Sequence, residues 1–110
     1  MNDHEKVTKI YEGLIKLHPE IQQKGKNIPY TSVNGHMFSQ VTKEGDLGIR
    51  LPKDEREAFI RMYHAELVVS YGAVLKEYVK VPEALFSDMD TLEKYLSISY
   101  EYVKTLKPKK

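Results

Sequence analysis

The apolar residues of this chain repeat with a helical period near both ends and with a strand period between them. Near the N-terminus, four residues have the spacing of an amphipathic helix: Val7, Ile10, Tyr11 and Leu14. Between positions 90 and 106, seven more follow the same spacing: Leu92, Tyr95, Leu96, Ser99, Tyr102, Val103 and Leu106. Because an amphipathic helix must bury its apolar stripe against another element, the segments between the two helices are expected to supply a sheet.

The ends of the first helix are also marked, and we place it near residues 4–18. Asn2 or Asp3 can act as its N-cap, because their side chains accept hydrogen bonds from the free amides of the first helical turn. Pro19 lacks a backbone donor, so we expect the helix to kink or restart there and to end at Gly25.

An antiparallel meander of three strands is predicted next. Asn34 and Gly35 separate two strand-like segments, residues 28–33 and 36–42, and suit a two-residue type I′ turn, in which both positions need a positive φ. A polar turn follows. In residues 47–51, aliphatic side chains then alternate with glycine and arginine, which indicates a third strand whose aliphatic side faces inward.

A second helix is predicted after Pro52, which ends the third strand. Carboxylates in its first turns suit the positive end of the helix dipole. We assign its buried face to four residues: Ala58, Phe59, Met62 and Tyr63.

Two more strand candidates, residues 67–70 and 74–81, flank a turn at Tyr71-Gly72. Lys76 and Glu77 in the second of these segments indicate a solvated or edge position. The last helix, near residues 90–106, follows a cap at Asp88 or Asp90. The predicted class is therefore α+β, in the order α-β-β-β-α-β-β-α, with the helices mainly on one face of an antiparallel sheet.

Composition limits the size and the partners of the chain. Its 110 residues suffice for about one domain, which we place over residues 1–110. A formal net charge of +1 provides no large positive field to recruit nucleic acid or an anionic membrane. The first residues lack the apolar stretch of a signal peptide, and no apolar run approaches the ~20 residues of a membrane span. We therefore expect a cytoplasmic protein.

Catalytic and metal-binding signatures do not stand out in the sequence. With no cysteine, a disulfide, a thiolate nucleophile and cysteine-ligated zinc are excluded. His4, His18, His36 and His64 lack the spacing of helical metal ligands, so we predict neither a metal nor another cofactor. The carboxylates cluster at turns and helix starts, where capping accounts for them better than acid–base catalysis. Gly13, inside the first helix, suggests close packing of another element.

Four residues are the candidates for an interaction surface: Arg50, Tyr71, Lys76 and Tyr78. Arg50 points away from the aliphatic side of its strand, and its planar guanidinium suits either an ion pair within the domain or a contact with a partner. The tyrosines could stack on nucleic-acid bases, but such platforms have a basic groove, so core or protein-interface positions are the favoured interpretation.

Several segments resemble the N-terminal domain of the TfoX/Sxy competence regulators. Residues 34–38 are similar to the family's Asn-Gly-Lys-Met-Phe hairpin, and residues 47–52 with 54–56 to its strand-to-helix junction. Residues 76–82, Lys-Glu-Tyr-Val-Lys-Val-Pro, and the ending at 100–109 also resemble it. Residues 28–32, by contrast, stand where the family often has Met-Phe-Gly-Gly. The full-length regulators carry a second, C-terminal domain that the given sequence does not contain.

The resemblance covers roughly residues 5 to 109 and implies helices packed on one antiparallel sheet, and a homodimer. From it we expect a non-enzymatic regulatory or adaptor domain that acts through contact with an unknown protein. A link to competence or transcription rests on the resemblance alone. The alternative is a small-molecule-binding domain, or an enzyme whose residues meet only in space.

Overall fold

Three α-helices and five strands follow one another in the predicted order. A computed structural model describes residues 3–25, 29–70 and 72–107. Its elements are α1 (Asp3–Lys16), β1 (Tyr30–Val33), β2 (His36–Val41), β3 (Leu47–Arg50), α2 (Lys53–Tyr63), β4 (Glu66–Ser70), β5 (Ala73–Lys80), a short 3-10 helix (Glu83–Leu85) and α3 (Met89–Lys104). The α+β class and the order α-β-β-β-α-β-β-α are confirmed, and the 3-10 helix is an addition. Asn2 and Ile28, named above as a cap and a strand start, lie outside the described residues.

The strands form one antiparallel sheet with the order β1-β2-β3-β5-β4. The meander of β1, β2 and β3 is present, and β5 pairs with β3 on one side and with β4 on the other. Of the two alternatives for this segment, the edge position is wrong, because β4 is the outer strand, and the solvated position is confirmed for Lys76, which is exposed. Lys76 and Glu77 are polar for another reason: the register jumps from Leu67–Val79 to Val68–Leu75, so residues 76–78 of β5 have no partner in β4.

The first hairpin closes as predicted and contains an irregularity of its own. Asn34 and Gly35 have φ values of 55° and 80°, as a type I′ turn requires. Between β1 and β2 the register shifts from Thr31–Ser39 to Ser32–Met37, which leaves Phe38 as an extra residue. Because of this bulge, two consecutive residues of β2, Phe38 and Ser39, are both buried.

A single apolar core joins the helices to one face of the sheet. It contains residues of all three helices and of β2, β3 and β5, among them Tyr11, Leu14, Phe38, Ile49, Phe59, Val79, Leu92 and Leu96. Most of the core residues that come from helices belong to the apolar stripes predicted for α1 and α3. The inward side of β3 is also confirmed, because Leu47, Ile49 and Leu51 are fully buried.

Two details of the helices differ from the sequence expectations. The first helix ends at Lys16 and does not restart after Pro19, since proline lacks the amide donor and disfavours helical backbone in the residue before it. Gly25 adopts a φ of 85° in a connecting segment, so it does not end a helix. In α2, Phe59 is the buried residue, whereas Ala58 and Met62 are exposed, so this helix buries a narrower stripe than predicted.

The opposite face of the sheet is partly covered by β4. Val68 is fully buried but does not belong to the main core. A Cβ atom built on Gly48 of β3 would lie 2.8 Å from Cγ2 of Val68, although β5 separates the two strands in the sheet. The β4 strand therefore bends over this face, and glycine at position 48 makes the close approach possible.

Gly13 has no comparable role. A Cβ atom at this position would meet Cε of Met89 at 3.7 Å, which is ordinary van der Waals contact. The expected close packing at Gly13 is therefore wrong: α3 passes near enough to contact an alanine and too far away to require glycine.

We predict that Gly48→Ala lowers the free energy of unfolding by roughly 1–3 kcal/mol, because the fully buried, β-branched Val68 cannot move aside without strain. Gly13→Ala is the matched control and is expected to stabilise the protein by about 0.5–1 kcal/mol through helix propensity. Urea unfolding of both variants measures the difference. A Gly48→Ala protein as stable as the parent would contradict the close approach.

Candidate interaction surface

The structure brings two of the four predicted surface residues together. Arg50 and Tyr78 are direct cross-strand partners in β3 and β5. Lys76 is exposed, two residues away from Tyr78 along the strand. Tyr71 lies outside the described residues. Whether the four residues bind a partner stays a prediction, whereas the surroundings of Arg50 and Tyr78 are well defined.

Arg50 forms an ion pair with Glu77. Its Nε and Nη2 atoms both lie 2.6 Å from the same carboxylate oxygen, Oε1 of Glu77. The Arg50 side chain is only 19% exposed and that of Glu77 36% exposed. Of the two alternatives left open for Arg50, the ion pair within the domain is the one that the structure shows.

Two tyrosines and one carbonyl complete what we call the Arg50 cluster: Arg50, Glu77, Tyr78, Tyr102 and the main-chain oxygen of Met37. The Tyr78 hydroxyl donates to the Met37 oxygen at 2.6 Å, and Nη1 of Arg50 makes a longer contact of 3.5 Å with the same oxygen. The Tyr102 hydroxyl donates to Oε2 of Glu77 at 3.3 Å. The Arg50 guanidinium carbon lies 5.9 Å from the centre of the Tyr102 ring, within cation–π range.

The irregular path of β5 places Glu77 in this cluster. Residues 76–78 have no partner in β4, and the main chain of Glu77 instead accepts a hydrogen bond from the Leu51 amide at 3.0 Å. This contact continues the β3–β5 pairing past Arg50–Tyr78. Because the Glu77 backbone is held beside the end of β3, its carboxylate lies within reach of both Arg50 and Tyr102.

Burial changes the acidity of the two phenols. It raises the pKa of Tyr78 to about 12, against an opposing effect of the Arg50 charge. Burial, and then the nearby Glu77 carboxylate, raises the pKa of Tyr102. Both phenols therefore stay protonated at neutral pH and act as hydrogen-bond donors.

The cluster is suited to holding elements together rather than to binding a ligand. Each of the three guanidinium nitrogens of Arg50 contacts an oxygen of this chain, and these contacts connect β3 to β5 and to β2. Tyr102 adds α3. A charged group whose donors are satisfied internally gains little from a new anion. Lys76, exposed beside the cluster, is the predicted surface residue that stays accessible.

Sequence reasoning missed Glu77 and Tyr102 as members of this cluster. The sequence pattern indicates a solvated or edge position for Glu77, and it places Tyr102 on the apolar stripe of the last helix. The resemblance segment at residues 76–82 draws attention to Glu77, but its partner lies 27 positions earlier in the chain. The pairing of β3 with β5 brings them together, and no local pattern encodes that pairing.

A second, fully buried polar contact joins α1 to the first hairpin. The Tyr11 hydroxyl lies 2.6 Å from the Ser39 hydroxyl, which also contacts the hydroxyl of Thr31. Each oxygen thereby has a partner, as buried hydroxyls require. Burial raises the pKa of Tyr11 to about 12, with the hydrogen bonds from Ser39 and Thr31 opposing the shift.

The other tyrosines of α3 are packing residues. Tyr95 is buried, with its ring 4.8 Å from that of Phe59 in an edge-to-face arrangement. Tyr100 contacts the ring of Phe38 at 5.7 Å and that of His18 at 5.3 Å. The favoured interpretation of these rings as core residues is confirmed for Tyr95.

Of the four histidines, His64 is exposed, and His4, His18 and His36 are half-buried. His64 follows α2 with a left-handed φ of 53°, and Nε2 of His36 lies 2.8 Å from the Lys107 carbonyl oxygen. In the three described ranges, no group of three or more histidine and carboxylate side chains is arranged to hold a metal ion.

One small cavity lies between α1, the β2–β3 turn and the 3-10 helix. Its volume is about 190 Å³, and two ion pairs line it: Lys6–Glu83 at 3.1 Å and Lys80–Asp46 at 3.6 Å. The four charges form two neutral pairs, and the Glu44 carboxylate also lines the cavity.

Comparison with known proteins adds no assignment: no protein-family model matches the chain, and no curated protein matches it significantly. Within residues 3–25, 29–70 and 72–107, none of the helices has the length and apolar character needed to cross a membrane.

We predict that the Arg50–Glu77 pair contributes a coupling free energy of roughly 1–2 kcal/mol to stability, because the pair is short and partly shielded from water. The double-mutant cycle uses Arg50→Ala and Glu77→Ala with denaturant unfolding. The matched control is the exposed Lys6–Glu83 pair, for which we expect about 0.5 kcal/mol or less. Equal coupling in the two pairs would contradict the structural role of the Arg50 cluster.

We predict that the folded protein loses stability at high pH because of two buried phenols, Tyr11 and Tyr78. Their phenols have a pKa of about 12 in the folded protein, against about 10 when unfolded, so the folded state holds more protons in between. The free energy of unfolding therefore falls as pH rises from about 10 to about 12, by about 1.4 kcal/mol per pH unit for each phenol.

Phenolate absorbance, followed together with the denaturant midpoint, measures this effect. Tyr11→Phe and Tyr78→Phe should each make the alkaline loss of stability less steep by one proton. Titration of all eight tyrosines near pH 10 in the folded protein would show that neither phenol is perturbed.

Proposed function

We propose that this chain is a stand-alone relative of the TfoX/Sxy N-terminal domain and works as a non-enzymatic regulatory or adaptor protein. It acts by protein–protein contact, as a homodimer in the cytoplasm. The resemblance supports the family and the link to competence or transcription. Direct binding of nucleic acid is not part of the proposal, because the net charge is only +1.

The observation that carries the contact function is an exposed apolar pair. Val69 of β4 and Val74 of β5 face each other in the register and are 50% and 52% exposed. Gly72 and Ala73 beside them are also exposed. Clustered apolar side chains on a protein surface mark sites of association, because their burial removes them from water.

The small-molecule alternative has weaker support. Two depressions of about 550 and 560 Å³ are shallow and open to solvent. The more enclosed cavity beside the 3-10 helix measures about 190 Å³, below the roughly 300–1,000 Å³ of typical ligand sites. Its lysines are paired with carboxylates, so a ligand would have to break existing ion pairs in order to bind.

Light scattering of the purified protein tests the homodimer. We expect a mass approaching twice 12.8 kDa at high micromolar concentration, decreasing on dilution. A mass of 12.8 kDa at every concentration would contradict the homodimer.

Affinity purification from the native cell tests the adaptor role. We expect a specific protein to be recovered with the tagged chain and to be depleted by Lys76→Glu, which reverses an exposed charge beside the Arg50 cluster. Lys16→Glu, also exposed but at the end of α1, is the matched control and should retain that protein. Retention of a small metabolite and of no protein, seen by native mass spectrometry, would favour the ligand-binding alternative.

A further inference from the structure

The turn of the first hairpin contacts the end of the last helix. The Asn34 side-chain amide donates to the carbonyl oxygen of Lys104, the last residue of α3, at 3.2 Å. Nε2 of His36, the residue after the turn, donates to the carbonyl oxygen of Lys107 at 2.8 Å. Main-chain carbonyls at the C-terminal end of a helix lack partners within the helix, so side-chain donors of this kind stabilise that end.

The sequence explains why the Lys104 carbonyl needs a donor from outside the helix. In an α-helix, a carbonyl accepts a hydrogen bond from the amide four residues later in the chain. For Lys104 that residue is Pro108, and proline has no amide hydrogen. The Asn34 amide therefore supplies a donor at a carbonyl for which the regular helical donor is missing from the sequence.

Asn34 is also open to a covalent change. Asn34 and Gly35 are the only Asn-Gly pair in the sequence. In such a pair, the main-chain nitrogen of glycine can attack the side-chain carbonyl carbon of asparagine, because glycine has no side chain to block the approach. Both residues are exposed. The last pair of the ladder joins Val33 to His36, so the Gly35 nitrogen is not held by the ladder.

We propose that Asn34 is a site of spontaneous deamidation, and that this modification releases the end of α3 from the first hairpin. A bond forms between the Gly35 nitrogen and Cγ of Asn34, the bond between Cγ and Nδ2 breaks, and Nδ2 leaves as ammonia with the proton of the Gly35 amide. Water then opens the cyclic imide at either carbonyl, which gives aspartate or isoaspartate. No group is oxidised or reduced, and water is the only co-reactant.

Both products lose the hydrogen bond to Lys104. A carboxylate accepts hydrogen bonds and has no hydrogen to donate, so at position 34 it would place a second acceptor against the Lys104 carbonyl oxygen. Isoaspartate also adds a carbon atom to the main chain of a two-residue turn, which then no longer fits the type I′ geometry and displaces His36. We therefore expect isoaspartate to loosen the end of α3 more than aspartate does.

The folded hairpin slows the reaction. Asn34 has a left-handed φ of 55°, and its amide is bonded to Lys104. A type I′ turn holds the Gly35 nitrogen on the side of Cα away from the Asn34 side chain, so the ring closes only after the turn rotates and the amide leaves the carbonyl. We expect deamidation to follow transient opening of the turn and to be slower in the folded protein than in the unfolded chain.

Peptide mass spectrometry of the aged protein tests the modification. The purified full chain is kept for several weeks at mildly alkaline pH and cleaved with trypsin, which releases residues 27–43 as one peptide. We expect the mass gain of an amide converted to an acid at Asn34. Asn27, in the same peptide, is the internal control and should stay unmodified, because the β-branched Ile28 after it hinders attack. Asn34→Gly keeps a turn of type I′ and should show no mass gain.

Hydrogen exchange tests the release of α3. The Thr105 and Leu106 amides are hydrogen-bonded at the C-terminal end of this helix. In the aged protein they should exchange roughly two- to tenfold faster, the effect of losing about one hydrogen bond. Asn34→Asp keeps the normal main chain and should give part of this increase. Gln23→Glu makes the same change from amide to acid at an exposed residue beside α1, so it is the matched control and should exchange like the parent.

The outcomes separate the modification from its structural effect. An acid at position 34 together with faster exchange at Thr105 and Leu106 supports the proposal. An Asn34 that keeps its amide in the folded protein overturns the modification, whatever happens after unfolding in urea. Deamidation at Asn34 with parent-like exchange at the end of α3 overturns the release of the helix. The proposed homodimer and adaptor role do not depend on Asn34, so they stand or fall by their own tests.

Discussion

The pairing of β3 with β5 holds the two parts of the chain together. It consists of three residue pairs: Gly48–Lys80, Ile49–Val79 and Arg50–Tyr78. On one side of the sheet, Ile49 and Val79 belong to the main core. On the other side, Gly48 lies against Val68, which bends over from β4. The central strands are thus packed on both faces, and a short pairing of this kind tolerates little change in side-chain volume.

The Arg50 cluster is a consequence of this pairing. β5 leaves β4 for three residues, and in that stretch its backbone continues along β3 as far as Leu51. An interrupted ladder leaves polar groups in partly buried surroundings, where each needs a partner. Arg50, Glu77 and the two tyrosines satisfy one another and the Met37 carbonyl. The Arg50 cluster has the appearance of a binding site, but its contacts are explained by the polar groups that the interrupted β4–β5 ladder leaves in need of partners.

The surface features that support a contact function lie at the other side of β5. Lys24 pairs with β1, while β4 is the outer strand on the opposite side of the sheet and carries one residue of the exposed Val69–Val74 pair. A monomer of this size has little spare apolar burial, because small domains bury a modest fraction of their surface. Contact with a partner at these two side chains would remove them from water.

The periodicity of the sequence determined the secondary structure. The stripes of α1 and α3, the Asn34-Gly35 turn and the alternation in β3 are local patterns, and each is formed as predicted, because backbone conformation at these positions depends on near neighbours. The expectations that failed also have local causes. Pro19 ended α1 without a restart, and the exposed Met62 shows that α2 buries a narrower face than its composition indicates.

Which of these elements lie side by side, and which of their residues are in contact, was decided only by the tertiary structure. The position of β5 inside the sheet, the contact of Gly48 with Val68 and the pairing of Arg50 with Glu77 all join residues that are 20 or more positions apart. Such contacts depend on strand order and register, which are selected by the total burial of the core and not by any segment alone. For that reason the sequence determined which residues form strands and helices, and the packing of those elements determined which residues meet.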